Sequence, residues 1–317
     1  MKKSILVTGG AGFIGANLSK YLVDDPNVSL IRIVDNFANS QISNISNLLN
    51  NPKVEFIEGD IVDYDFCMKI TKGIDRISHQ AALGSVPRSF SDPMTSTQVN
   101  ILGTVNMLHA SHVNGVERVI LACSSSTYGD SNVMPRVEDL IGTPLSPYAI
   151  TKYAVELYSQ VFYKIYNLNF IGLRYFNVFG PLQKTDSQYA AVIPKFCKSI
   201  LNDEVPSIFG DGETTRDFTY VDNIVLANHL ALFTENKFAL NQIYNVGCGE
   251  KISLNNVIAM LQKITGKNIN PKYYEERKGD VKESMADISK IKKMLNYSPV
   301  INFEQGLIKT FNFYKNV

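Results

Sequence analysis

Along the first half of the chain, short apolar runs alternate with stretches whose apolar residues recur every three or four positions. Ser4-Ile5-Leu6-Val7-Thr8 has the pattern of a strand buried on both faces. Residues 13–24 follow as a helix, with Phe13, Ile14, Leu18, Tyr21 and Leu22 at helical spacing. Further strands are predicted at 30–35 and 54–57, a short one at 75–78, and others at 118–122 and 170–174. Helices are predicted at 95–113 and 147–166. Strands that alternate with helices imply βαβ units around a parallel sheet. Right-handed crossovers then place helices on both faces. The expected fold class is α/β, a Rossmann-type doubly wound parallel sheet with a smaller α/β domain. Beyond about residue 177 the segments shorten, and Pro181, Pro194, Pro206, Gly210 and Gly212 punctuate them. The expected division is 1–176 for the large domain and mainly 177–317 for the smaller one. Roughly 213–248 is expected to return to the large domain.

Composition narrows the class without changing that picture. The chain has 317 residues, 45% hydrophobic and 19% charged, which suits a globular protein with a substantial core. Lys and Arg number 31 against 30 Asp and Glu, a formal net charge of +1. That removes the electrostatic case for a chain-wide nucleic-acid binder. No apolar run approaches the roughly 18 residues of a membrane span. Lys2 and Lys3 before Ile5-Leu6-Val7 mimic a signal peptide, but Thr8, Gly9, Gly10 and Gly12 break the apolar stretch at once. Cys67, Cys123, Cys197 and Cys248 form no C-x-x-C pair and have no His at ligand spacing, so no metal site is expected. So few cysteines in so long a chain point to the reducing cytoplasm.

The glycines between the first strand and first helix are the first candidate chemistry. Thr8-Gly9-Gly10-Ala11-Gly12-Phe13-Ile14-Gly15 satisfies G-x-G-x-x-G through Gly10, Gly12 and Gly15, and G-x-x-G-x-x-G through Gly9, Gly12 and Gly15. Such a turn brings backbone against a pyrophosphate and aims a helix N-terminus at its charge. Alone the motif is weak. Here Asp35 closes the second strand twenty residues past Gly15, the spacing of a carboxylate that binds adenosine ribose hydroxyls. Its carboxylate would repel a 2′-phosphate, and Asn36 and Phe37, not Arg or Lys, follow it, so NAD is favoured over NADP. Arg32, three residues earlier, argues weakly the other way.

Ser146-Pro147-Tyr148-Ala149-Ile150-Thr151-Lys152 opens the long helix. Tyr148 and Lys152 are four apart and share a helical face. A free tyrosine titrates near ~10, too high for a base at neutral pH. A neighbouring ammonium favours the phenolate, so the pair is expected to act as a base toward an alcohol proton. Tyr-x-x-x-Lys is common by chance and gains weight only beside the glycine turn. Ser124-Ser125-Ser126-Thr127-Tyr128-Gly129 adds hydroxyls just past the fifth strand, where open α/β sheets bind ligands. A serine-rich loop satisfying its own backbone is the plainer alternative.

Together these blocks resemble the extended short-chain dehydrogenase/reductases, specifically the nucleotide-sugar epimerases, over essentially the whole chain. Gly59-Asp60-Ile61, Arg174-Tyr175-Phe176-Asn177, Arg216 to Asp222 and Arg277-Lys278-Gly279-Asp280 extend the likeness. The resemblance implies an NAD-binding domain, a UDP-sugar-binding domain, and epimerisation at C4 through a 4-keto sugar. It implies that Gly9, Gly12 and Gly15, with Phe13 and Ile14 between them, hold the NAD pyrophosphate. Asp35 and Asn36 would take its adenosine ribose, and Asp60 and Ile61 its adenine. Ala81, Asn100, Lys152 and Tyr175 would line the nicotinamide side. Tyr148 would be the base, Lys152 its tuner, and Ser124 the hydroxyl that steadies the reacting group. Ser125 and Ser126 would line the sugar. Asn177, Arg216 and Arg277 would grip the UDP diphosphate, Asp280 the uridine ribose, and Ser207, Ile208 and Phe209 the uracil. The likeness further implies a homodimer through paired helices, with candidates at 95–113 and 147–166.

Two features narrow the subgroup. His79-Gln80-Ala81-Ala82-Leu83-Gly84-Ser85-Val86-Pro87-Arg88-Ser89 is similar to the branch acting on N-acetylated hexosamines and their uronic acids, with Ser85 approaching the sugar. Ser284, four residues after Asp280, stands where galactose-specific members carry a bulky tyrosine, which opens room for a 2-acetamido group. Sugar-nucleotide 4,6-dehydratases usually place an Asp-Glu pair where this chain has Ser125 and Ser126. Non-catalytic dinucleotide sensors on this fold typically lose the Tyr/Lys pair, which is present here.

Overall fold

The computed structural model describes residues 2–185, 191–276 and 282–316. Seven parallel strands form the central sheet. They are β1 (Lys3–Thr8), β2 (Val28–Asp35), β3 (Val54–Glu58), β4 (Arg76–His79), β5 (Arg118–Ser124), β6 (Phe170–Tyr175) and, much later in the chain, β11 (Gln242–Val246). Their order is β11-β6-β5-β4-β1-β2-β3. The order reverses between β1 and β4, which opens a crevice at the carboxyl ends of those strands.

The strands lack a polar face because both faces are covered. Ile5, Val7, Ile31, Ile33 and Ile120 point into one core with α1 (Phe13–Val23) and α8 (Val221–Phe233). Leu6, Val34, Val119 and Leu121 point the other way. There they meet α2 (Tyr64–Thr71), α5 (Gly103–Val113) and α6 (Pro147–Tyr166). The helix expected at 95–113 begins earlier, at Pro93, because Asp92 caps Thr95 N. It runs through α4 (Pro93–Thr97), a π-helical turn at Gln98–Leu102, and α5. α6 has the predicted bounds: Ser146 caps Ala149 N, Pro147 occupies the first turn, and left-handed Asn167 ends it.

Short elements make up the remainder. They are α3 (Val86–Ser91), β7 (Val178–Phe179), α7 (Val192–Leu201), β8 (Ser207–Phe209), β9 (Thr215–Arg216), β10 (Thr219–Tyr220), β12 (Ile252–Ser253), α9 (Leu254–Thr265), β13 (Lys272–Tyr274), α10 (Ser289–Leu295) and α11 (Phe303–Lys315). Three two-stranded pairs, β7 with β10, β9 with β12 and β8 with β13, frame the second half of the cleft. Later in the chain, α8 packs on the large sheet and β11 joins its edge beside β6. Among the described residues, no helix is long and apolar enough to cross a membrane.

Candidate active site

A cavity of about 570 Å³ opens at the crevice. Its walls bring together Gly9, Gly12, Phe13, Ile14, Gly15, Asp35, Asn36, Asp60, Ile61, Ala81, Ser85, Ser124, Ser125, Tyr148, Tyr175 and Asn177. At one end the glycine turn is packed backbone to backbone. Gly9 has φ of 63°, and a Cβ there would lie 2.8 Å from the Ala81 backbone. A Cβ on Gly12 would meet the Gly9 carbonyl at 3.0 Å, and one on Gly15 would overlap it. The turn therefore presents bare backbone to the N-terminus of α1, whose first turn carries no acid. Asp35 accepts from Ala11 N (3.0 Å), Phe37 N (2.9 Å) and the Ser40 hydroxyl (2.6 Å). Asn36 donates to Asp60 at 2.9 Å. Arg32 faces away, bound to Glu55 and to the Ile70 carbonyl, so it offers nothing to a 2′-phosphate.

At the other end α6 sets Tyr148 and Lys152 against the end of β5. Lys152 is buried, donates to the Ala122 carbonyl at 2.7 Å, and lies 5.9 Å from the centre of the Tyr148 ring. The protein groups around Tyr148 do not by themselves depress it. Burial raises the Tyr148 phenol above its ordinary value, although the hydrogen bond from Ser124 pulls the other way. Burial also lowers Lys152 to about 8, opposed by nearby Cys123 and Glu156. Desolvation penalises both charged forms, and the carbonyl contact does not offset it. Ser126 donates to the Ser124 hydroxyl at 2.9 Å, which leaves the Ser124 proton for Tyr148.

The sign of the pH dependence follows from Lys152. Raising the pH through about 8 discharges it and removes the cation that favours the Tyr148 phenolate. Turnover is expected to fall on that alkaline side. Lys152→Arg, whose charge survives, is expected to lower kcat overall but flatten the alkaline limb of a pH–rate profile.

Residues 5–247 match the NAD dependent epimerase/dehydratase family. The chain belongs to that family. It is an enzyme of this kind, and NAD is its cofactor. It is 36% identical to the UDP-glucuronate 4-epimerase of Thermodesulfobacterium geofontis, over 98% of this chain and 95% of the relative. It shares 39% identity and a TM-score of 0.94 with the UDP-N-acetylglucosamine 4-epimerase of Methanobrevibacter ruminantium M1, solved with UDP-N-acetylmuramic acid. That match covers 100% of this chain and 99% of the other. The Bacillus cereus UDP-glucuronic acid 4-epimerase, solved with UDP-glucuronic acid and NAD, shares 34% identity at a TM-score of 0.92, over 99% of each chain.

The residues present fit NAD: the glycine turn, whose tight backbone packing leaves no room for a Cβ, would take the pyrophosphate, and Asp35 would take the ribose. In this epimerase-family site three predicted residues stand behind the wall. Asn100, in the π-helical turn, accepts from Leu83 N and donates to Leu83 O and Thr151, so it shapes the loop beside the cavity. Lys152 and Ser126 act through their neighbours as described. A second cavity of about 610 Å³ shares Asn177 with the first and adds Ser207, Phe209 and Arg216. Ile208 is a correction: β8 alternates, and its side chain points the other way into the core, 1% exposed. Ser284 lines neither cavity; its amide bonds to the carbonyl of Thr215, the residue before Arg216, at 3.2 Å. Arg277 and Asp280 lie outside the described residues.

The sequence reading missed Asn39, Ser40, Gln80 and Lys184 on the first cavity and Lys195 and Lys198 on the second. Gln80 had a signal, since it follows β4 at the carboxyl edge of the switch point. It joins Asn228 in bonding the Tyr175 hydroxyl. The others come from loops and a helix face with no diagnostic spacing.

Proposed function

We propose that this UDP-sugar 4-epimerase acts on a UDP-N-acetylhexosamine or the corresponding uronic acid. Ser284 carries the reading. By the resemblance to the epimerases, this small side chain stands where a bulky one would exclude a 2-acetamido group, and its amide ties it to the strand that carries Arg216. The N-acetylglucosamine epimerase among its structural neighbours supports it. Ser284→Tyr is expected to cut kcat/KM for UDP-N-acetylglucosamine by about tenfold or more while sparing UDP-glucose. Parallel assays of UDP-N-acetylglucosamine, its uronic acid and UDP-glucose, with products resolved by NMR, test this. Preference for UDP-glucose in the unmodified enzyme would refute it, and a 4-keto-6-deoxy product would make it a dehydratase.

In this reading Asn177, Arg216, Ser207 and Phe209 hold the UDP, because guanidinium forks suit diphosphates and Phe209 stacks on Tyr274 to form a flat wall. Ser124 donates to the Tyr148 oxygen, and Tyr148 removes the proton of the C4 hydroxyl as that carbon becomes a ketone. NAD, when bound there, would supply the reversible hydride chemistry at C4. Tyr148 gives its proton back after the sugar has turned its other face, while the nucleotide end stays anchored.

The same reading includes a cytoplasmic homodimer. Ile150, Leu157, Val161 and Ile165 form an exposed apolar stripe along α6, 45–67% exposed. Leu157→Glu with Val161→Glu is expected to halve the mass seen by light scattering. A wild-type monomer would overturn the dimer.

A further inference from the structure

We infer that α3 is a strap across the NAD cleft, latched by Arg88 to Asn39 on the far wall and tied by Ser89 to the amide of Tyr148. The two walls leave the sheet on either side of the switch point. One follows β2 and carries Asp35 to Ser40; the other follows β4 and carries Ala81 to Arg88. The Arg88 guanidinium spans them, donating to Asn39 Oδ1 at 2.8 Å. Both residues line the cavity. Asn39 is next to Ser40, whose hydroxyl holds the Asp35 carboxylate. The latch therefore closes on the loop that fixes the ribose-binding acid.

The other end of the strap is built into the catalytic helix. Ser89 is fully buried. Its hydroxyl donates to Val86 O at 2.7 Å and accepts from Tyr148 N at 3.0 Å. The amide of the base is thus one of the free N–H groups at the start of α6, and a residue of the strap satisfies it. Ser85 caps the strap by accepting from Arg88 N at 3.2 Å, and Pro87 stiffens its first turn. Asp92 then caps α4 directly, so α3 has little slack at its far end.

The chemistry requires such a device. A hydride removed from one face must be returned to the other, so a cofactor lost mid-cycle strands a ketone. Retention must outlast turnover. Arg88 and Ser89 are positioning residues in this scheme: one holds the cleft closed, the other keeps Tyr148 in register with the closed strap. The inference rests on NAD dependence and not on the sugar assigned above.

The test measures cofactor release from holoenzyme, with freed NAD trapped by an excess of an NAD-consuming dehydrogenase. Arg88→Met and Asn39→Ala are each expected to speed release by about tenfold, the worth of one hydrogen bond to a charged group. The double variant is expected to release NAD no faster than either single one, because both break the same link. Turnover lost on dilution should return when NAD is added back, and Arg88→Lys should fall between. Ser89→Ala is expected to lower kcat several-fold at saturating NAD without moving KM for the nucleotide sugar. Wild-type release rates in both single variants, or rates that multiply in the double, would overturn the strap. None of these readouts depends on which sugar is epimerised.

Discussion

Tyr148→Phe is expected to lower kcat by about 10²–10⁴, the range of a lost general acid–base group, with KM little changed. The prediction is specific because the substitution removes one oxygen and leaves the ring. Tyr148 is tied to the fold by its backbone amide, which Ser89 accepts, and by its place in α6. Neither contact uses the phenol. The phenol interacts with Ser124 at the mouth of β5, on the wall of the first cavity. Bound NAD, measured by absorbance after denaturation, is therefore expected to match wild type. Ser124→Ala should fall in between, because the phenolate loses its donor but the base remains. A Phe variant turning over within a few-fold of wild type would remove Tyr148 from the chemistry.

Much of this site was legible in the chain because the signals were local. The glycines of 9–15 had to sit in a strand-to-helix turn, and there each lacks room for a Cβ. The bounds of α6 were written in Ser146, Pro147 and the apolar period up to Tyr166. What was not legible depends on distant packing. α8, Val221–Phe233, is apolar nearly all round because the sheet and α1 cover it, so it shows no amphipathic stripe to read. The two-residue strands of the smaller region have no length over which a period can develop. Spacing puts an ammonium near the phenol, but only the fold shows that both groups are buried, which raises the phenol and lowers the amine. Asn39 and Arg88 are 49 positions apart, and only the fold makes them neighbours.

Glu156→Ala is expected to destabilise the enzyme by about 3–5 kcal/mol, because it strands a buried guanidinium. Glu156 follows Lys152 by one turn of α6 and is 1% exposed. It holds Arg174 of β6 through two bonds of 2.7 and 2.8 Å, and Arg174 also donates to the Glu138 carbonyl. Arg174 lies 4.9 Å from the centre of the Tyr128 ring, which closes the remaining side. In the sheet Arg174 is the register partner of Cys123, and Tyr175 of Ser124. The pair thus pins the catalytic helix to the strand beside the catalytic serine. Replacing both members by apolar residues, as Glu156→Leu with Arg174→Met, should recover much of the stability, since no lone charge is left. It should not recover kcat, because the geometry of Tyr148 and Lys152 over Ser124 is then held by packing alone. Urea unfolding of the holoenzyme beside kcat separates the two effects. Recovery of both in the double variant would reduce the pair to a stability element, whereas stability without turnover assigns it the placement of the base.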